Sequence, residues 1–536
     1  MRTTTPLRTF AAVALTGLVV AACGQKPNVA HIGNGVDGGT GGTATLGAPA
    51  ETSGGTGTTN TGGGGTTTDT GTGGGTAAPS TGGATTTDGG GATTTDGGGA
   101  TQQPADNGGA TQQPADNGGN QNQQPTDSGN QNQQPTNNGN QNQQPTGTAQ
   151  PTGTDTTGVT DDAITVAVHA PATGAAPLPT TSFEQARDTY WRWIFEEKGE
   201  TVLGRSKVNV EYRDDKYRPE EAIQVCKELA ATSFLLVGGG GTDQIKACGQ
   251  LAEAQSFPYF SAGVTEGGLE TNPWYFASSM TYRQQGGLLA QYIRANPDNV
   301  EELGANAKIG VIITQTPNFD DAEAGFLQGL TDNGLQPIEV YRHPKGDTSW
   351  YGDTAKRFRD AGVNTVYFLS SPTDYINFAN TATTSFSYNP QYVGVGISKA
   401  INAVLASGCG DPGKGIDGGI FLHPYQGLDK AEPEFFEAAD RFGTPNDDIA
   451  YALWGLAKAQ RQLFDAYGSI YGNDLTREDF RAVAEGGAGV IETGVYPPLD
   501  YTNRGHFGAS AAHVLQADCT SSPKIHRTLH QFATGF

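Results

Sequence analysis

The residues best placed to hold a ligand lie in two loops of small side chains. The apolar run Phe234-Leu-Leu-Val237 ends in four consecutive glycines followed by Thr242 and Asp243. A second apolar run, Phe257-Pro-Tyr-Phe-Ser261, ends in Ala262-Gly263-Val264-Thr265. A helical run from Asp243 to Gln255 lies between them, which makes a strand–loop–helix–strand–loop unit of a parallel α/β sheet. Ligands of such sheets bind beyond the carboxyl ends of the strands, where both loops fall. Residues for bond-breaking are missing: no G-x-S-x-G, no H-E-x-x-H and no convincing triad occurs.

Other motifs are weaker. Gly408-Cys-Gly-Asp-Pro-Gly-Lys414 imitates a phosphate-binding loop, but Gly415 replaces the magnesium-holding hydroxyl and a helical stretch precedes it. His526 and His530 could share a helix face as metal ligands, yet no acidic residue lies between them. They read as a tail, and no metal or other cofactor is expected. Tyr190, Trp191 and Trp193 could wall a cleft, but their helical setting makes at least two of them core.

The flanking chain continues the α/β alternation. Ile164–Val168 and Val208–Tyr212 read as strands, and 182–198 and 219–232 as helices, with Ser182 an N-cap and Pro219 in a first turn. A fresh series begins at Lys308: strands at 308–314, 338–341, 365–369 and 391–396 alternate with helices at about 322–334, 353–362 and 375–384. Gly419–His423 reads as a connecting strand, followed by helices at 432–442, 449–467 and 476–485. Two parallel series in one body predict two similar lobes with a cleft between them.

The front of the chain is different. Arg2, Arg8 and the short apolar run from Phe10 to Val20 have the anatomy of a secretory signal. Val20-Ala-Ala-Cys23 resembles the lipobox of bacterial lipoproteins, which implies cleavage after residue 22, lipid on Cys23 and anchoring without spanning. The alternative is an ordinary signal with an incidental cysteine. Residues 23–158 are dominated by Gly, Thr, Gln, Asn, Asp and Pro, with direct repeats such as ATQQPADNGG at Ala100 and Ala110. So little apolar area cannot offset ordering entropy, and the segment is predicted to be a disordered tether. A Gly-rich coil of this length spans roughly 60 Å. A glycan-bearing or adhesive role for its Thr-rich part is the alternative. The net charge of −23 excludes a nucleic-acid footprint.

Four cysteines follow Cys23: Cys226, Cys248, Cys409 and Cys519. An even count in an exported chain invites pairing. Of the possible connectivities, Cys226–Cys248 would join neighbouring helices on one sheet and Cys409–Cys519 would close the other lobe. Four free buried thiols are the alternative.

From about Ile164 to Asp518 the chain resembles the type I periplasmic-binding fold, and within it the Leu/Ile/Val-binding proteins of ABC transporters. The resemblance rests on Pro171-Ala-Thr-Gly174, the run Ala222–Leu229, Val237-Gly-Gly-Gly-Gly-Thr242, Ser261-Ala-Gly-Val-Thr265 with Leu269, Tyr275-Phe276 leading to Gln285-Gly286, and Lys308-Ile-Gly-Val-Ile312. Asn318-Phe319 stands where the family usually has Tyr-Gly. The resemblance implies two doubly wound parallel-sheet lobes joined by three crossing strands, after the tether, within 159–536. Lobe one would cover about 160–282 and 424–488, and lobe two about 283–423 and 489–536. It implies that Thr242, Gly263 and Thr265, with neighbouring Val264, hold a ligand carboxylate, and Asp243, Glu266 and Asp374 are the candidate substitutes for an acid that holds an α-ammonium. Phe319 would close over the ligand and Ser371 would touch it from lobe two. The family's acidic residue for an α-ammonium falls at Gly396, so a carboxylate, amide or other small polar solute is implied at least as strongly as an α-amino acid. The implied partners are a small-molecule ligand, an ABC permease and, through the lipid, a membrane. A ligand-sensing receptor of the same fold, and an exported hydrolase or structural surface protein, are the competing readings.

Overall fold

The computed structural model describes residues 149–174, 181–261, 268–399, 401–411, 413–502 and 505–536. The signal run, Cys23, most of the tether, and Gly263, Val264, Thr265 and Glu266 lie outside the described residues.

Strands β1 (Ala163–Ala170), β2 (Lys207–Asp214), β3 (Leu235–Gly238), β4 (Tyr259–Ser261) and β5 (Tyr275–Ala277) form a five-stranded sheet in the order β2-β1-β3-β4-β5. Every pairing in it is parallel. Strands β6 (Ile309–Gln315), β7 (Pro337–Pro344), β8 (Thr365–Leu369), β9 (Gln391–Val395), β10 (Ile420–His423), β11 (Ala512–Asp518) and β12 (Ile525–Ala533) form a second sheet, ordered β12-β11-β10-β9-β8-β6-β7. In that sheet β6 to β10 pair in parallel, while β11 and β12 are antiparallel additions. The central strands β3, β8 and β10 are buried along their whole length, as continuous apolar runs between helical layers require.

The helices are α1 (Thr189–Arg192), α2 (Pro219–Ala230), α3 (Thr242–Ala254), α4 (Tyr282–Ala295), α5 (Asp320–Asp332), α6 (Tyr351–Asp360), α7 (Pro372–Phe386), α8 (Asn402–Gly408), α9 (Pro433–Phe442), α10 (Asp448–Tyr471) and α11 (Arg477–Ala482). Their starts follow local chemistry. Pro219 opens α2, Thr281 and Gln284 form a capping box on α4, and Asp447 accepts the Ala450 N–H at the start of α10. Helices α4 and α5 pack backbone to backbone: a Cβ on Gly325 would meet the Arg283 carbonyl oxygen at 2.2 Å. After β10 the chain returns to the first sheet, where Phe464 and Phe480 join Phe234 and Phe260 in one aromatic core.

Several sequence expectations are corrected. The single helix expected over 182–198 is interrupted by wide π turns at Thr181–Gln185 and Trp193–Glu197 on either side of α1. Trp191 and Trp193 are two positions apart and would point to opposite sides of a regular helix, yet both are buried. His526 and His530 lie on β12 rather than on a helix or a tail. The register slips between Val514 and Leu515, and the two rings take different partners: Asn402 for His526 and Asp298 for His530.

The tether ends earlier than composition predicts. Residues 149–158 dock on α11: the backbone N–H groups of Thr152 and Gly153 both donate to Asp479, and Asp155 pairs with Arg477 at 3.0 Å. Arg477 also donates to the backbone carbonyls of Ala230, Ser233 and Phe234. Hydrogen bonding thus orders a stretch that has almost no apolar side chains to bury. Cys226–Cys248 joins α2 to α3, and Cys409–Cys519 joins the end of α8 to the residue after β11.

Arg477→Met should cost roughly 3–5 kcal/mol, because it leaves a carboxylate and several buried carbonyls without their cation. Urea melts of the purified protein measure this, and a loss below about 1 kcal/mol would put the pair in the class of ordinary surface ion pairs.

Candidate functional site

The candidate site is the crevice between the carboxyl ends of the two sheets. On the first lobe, β3 runs into Gly238 and Gly239, with φ of +94° and +101°, before α3 begins at Thr242. A Cβ at Gly239 would lie 2.4 Å from Ile245 and 2.8 Å from the Tyr259 hydroxyl, so this turn admits only glycine. The loop is braced from behind by a buried polar chain. His169 Nδ1 lies 2.9 Å from Asp215, His169 Nε2 lies 2.8 Å from the Tyr259 hydroxyl, and that hydroxyl donates to the Gly238 carbonyl at 3.0 Å. Among the described residues, His169, Cys226 and Cys248 form the one group of three metal-type donors, within 4.8 Å of one another, but the two sulfurs are bonded to each other. Thr242 is buried in the first turn of α3, whose free N–H groups face the crevice end of the sheet. Asp214, at the end of β2, holds its carboxyl below the usual range. Burial alone would raise it, but the Thr173 hydroxyl and three backbone N–H groups outweigh that.

On the second lobe, Phe319 is buried and meets the Tyr282 ring edge-on at 6.2 Å. Ser371 caps α7: its hydroxyl accepts the Asp374 N–H at 3.1 Å and donates to the Asp374 carboxylate at 2.8 Å. That carboxylate also accepts from Ser370 and Tyr351. Ser371 is therefore an element of helix capping, with its hydrogen already committed. A surface concavity of about 360 Å³ lies beside this region, lined by Thr314, Thr316, Asp320, Glu323 and Arg342, at the carboxyl end of β6 and the start of α5.

Among the described residues, charged and polar side chains of the two lobes meet at the crevice in two regions, besides the contacts of Asp429 and Gln426 with β12. Asp243 of α3 receives Lys345 at 2.6 Å and the Asn318 amide, while Lys246 reaches Asn318 at 3.3 Å. The Lys345 ammonium also sits 5.5 Å over the Tyr217 ring. The second contact is buried. Lys399, just past β9, pairs with Asp448 of α10 at 2.7 Å, both side chains being 3% exposed. Asn402 adds its backbone N–H to the same carboxylate. Asp243 was singled out in sequence; Tyr217, Lys345, Lys399 and Asp448 were not. Each of these carries an ordinary charged or aromatic side chain in no motif, and only its partner on the other lobe distinguishes it.

Three buried histidines back the second lobe. Burial pushes His513 down to about 3, and burial followed by the charge of Lys399 holds His423 and His526 well below the usual imidazole range. Their folded-state values are depressed, so below the unfolded value of about 6.5 the unfolded chain binds more protons. Stability should therefore be full above about pH 6.5 and fall toward pH 3, by up to about 1.4 kcal/mol per pH unit for each histidine. Urea melts at stepped pH measure the slope; His513→Gln should reduce it, and a pH-independent stability down to pH 4 would contradict these burials.

Residues 163–522 match the periplasmic binding protein family. Among solved structures, the chain resembles a fatty acid ABC transporter substrate-binding protein from Thermomonospora curvata (17% identity, 72% of this chain and 95% of that one, TM-score 0.59). It resembles a branched chain amino acid ABC transporter protein from Thermus thermophilus with bound valine (18%, 70% and 98%, TM-score 0.57). A solute-binding protein from Rhodopseudomonas palustris HaA2 in complex with p-hydroxybenzoic acid is also similar (17%, 70% and 98%, TM-score 0.56). No curated protein matches the chain. The sheet order, the paired lobes and the match over most of the ordered body agree: the chain belongs to the periplasmic binding protein family and has its type I fold.

Proposed function

We propose that this chain is an extracytoplasmic solute-binding lipoprotein that captures a small polar ligand in the interlobe cleft and delivers it to an ABC permease. The observation that carries the reading is the facing of two strand-end surfaces across a crevice that polar contacts bridge at two separate places. The mechanism is binding and closure. The ligand first meets the glycine loop and the N-terminus of α3, where Thr242 and unpaired backbone N–H groups suit a carboxylate or amide oxygen. Phe319 and the loop after β9 then close from the other lobe, with Asp243 meeting Asn318 and Lys345 as the gap narrows. Val264, Gly263 and Thr265 complete the first-lobe wall in this reading, and Ser371 holds α7 in register behind it. The binding step needs no bond-breaking group, which accords with carboxylates and hydroxyls committed to internal hydrogen bonds. Cys23 carries the lipid, and the Gly- and Thr-rich segment holds the domain off the membrane.

A thermal-shift screen of carboxylates, amides, amino acids and polyamines should give a ligand. At 100 times its Kd, such a ligand adds about 2.7 kcal/mol of stability. Thr242→Ala should weaken that ligand roughly tenfold, the cost of about one hydrogen bond to a charged group. Unchanged binding would remove Thr242 from the site, and no stabilising ligand at all would remove the solute-binding reading. Separately, Cys23→Ser should move the protein from the membrane fraction to the soluble extracytoplasmic fraction; retention on the membrane would contradict the lipid anchor.

A further inference from the structure

Lys399 is an unusual residue to find between two lobes, because its ammonium is buried and only partly used. Its side chain is 3% exposed, and Asp448 is its one hydrogen-bond partner among the described residues. An ammonium carries three donors, so two remain unspent in a place where buried donors are normally paired. The Tyr425 ring, 5.7 Å from the nitrogen, supplies a π face and no acceptor lone pair of comparable strength. Asn402 adds to the surplus. Its side-chain oxygen accepts from the His526 backbone N–H at 3.0 Å, but its buried Nδ2 has no partner among the described residues.

The carboxylates in the same region are spent, although the buried His526 Nε2 has no hydrogen-bond partner among the described residues. Asp448 takes Lys399 and the Asn402 N–H, and Asp447 takes Ser182 and the Ala450 N–H. Asp374 takes Tyr351, Ser370 and Ser371, and Asp243 takes Asn318 and Lys345. Gly396 cannot be replaced by an acid without strain, since its φ is +53° and a Cβ there would lie 3.0 Å from the Tyr282 ring. A ligand ammonium would thus meet a lysine cation and find these carboxylates already engaged. A ligand acceptor would meet unused donors.

We propose that Lys399 and Asn402 form an anion-receiving site, and that the ligand is an acid without an ammonium: a carboxylate bearing a keto group or second carboxylate where an α-amino acid bears its amine. The proposal rests on the solute-binding reading of the cleft. Lys399 then sets specificity by charge. It attracts the second acceptor group and repels the ammonium of the otherwise isosteric amino acid, a like-charge penalty that is large where water is excluded. Asp448 keeps the lysine charged and aimed while the cleft is empty.

The test is calorimetric titration of the mature, full-length protein with matched pairs: 4-methyl-2-oxopentanoate against leucine, phenylpyruvate against phenylalanine, and 2-oxoglutarate against glutamate. At least one oxo acid should bind, and should bind ten times or more tighter than its amino acid. The double variant Lys399→Met, Asp448→Asn removes both charges of the buried pair, so neither is left unpaired, and it should erase that preference. Lys399→Arg should keep it, and its denaturation midpoint reports folding independently. An amino acid that binds as tightly as its oxo acid, or a preference that survives the double variant, overturns the proposal. Binding by none of the six also overturns it. If a different solute then stabilises the protein in a Thr242-dependent manner, the cleft reading stands without the anion site; if no solute does, both fall.

Discussion

The ion pair between Lys399 and Asp448 is the constraint on which the arrangement of the lobes depends. Each ion would cost several kcal/mol to bury alone, and the pair recovers that cost only when geometry brings the charges together. One partner follows β9 of the second sheet, and the other begins a helix packed on the first. The pair is therefore formed only in arrangements that bring the ends of the two sheets together. The more exposed contacts of Asp243 with Asn318 and Lys345 supplement it at another point of the crevice. Because an exposed pair contributes little, whereas separating a buried pair leaves uncompensated charges, the two contacts differ in kind: one is a surface latch, the other a position-sensitive anchor.

The remainder of the fold leaves that crevice free. The docked segment 149–158 binds α11 beside the residues that precede β3, at the end of the first sheet away from the glycine loop. Each disulfide also stays on one side: Cys226–Cys248 ties two helices of the first lobe, and Cys409–Cys519 ties two elements of the second. By loop-closure entropy they stabilise the folded body by roughly 3 to 5 kcal/mol each, and they do so without fixing the angle between the lobes. Movement is left to the connections after β5, after β10 and before β11.

Much of this was legible in the sequence because it is local. Val208–Tyr212 alternates apolar with polar residues, Thr365–Leu369 is a short apolar run, and the glycine loop after Val237 announces itself by composition. The pairing of cysteines followed from which elements neighbour each other. What was missed is long-range. His526 and Phe532 gave no strand signal because β12 is a mostly polar edge strand that pairs with β11 and is otherwise held by distant side chains such as Asp429 and Asn402. Residues 149–158 looked like tether because their order comes from Asp479 and Arg477, more than three hundred residues away. Lys399 and Asp448 stand in no sequence motif, and only the folded chain makes them partners.

The central claim is that a solute is held between two surfaces at once. Hydrogen exchange measured with and without a bound solute tests it most directly. The account expects added protection in both the 238–243 loop of the first lobe and the 396–402 loop of the second, with the amino ends of the strands unchanged. Protection limited to one lobe, or confined to the concavity lined by Glu323 and Arg342, would contradict it.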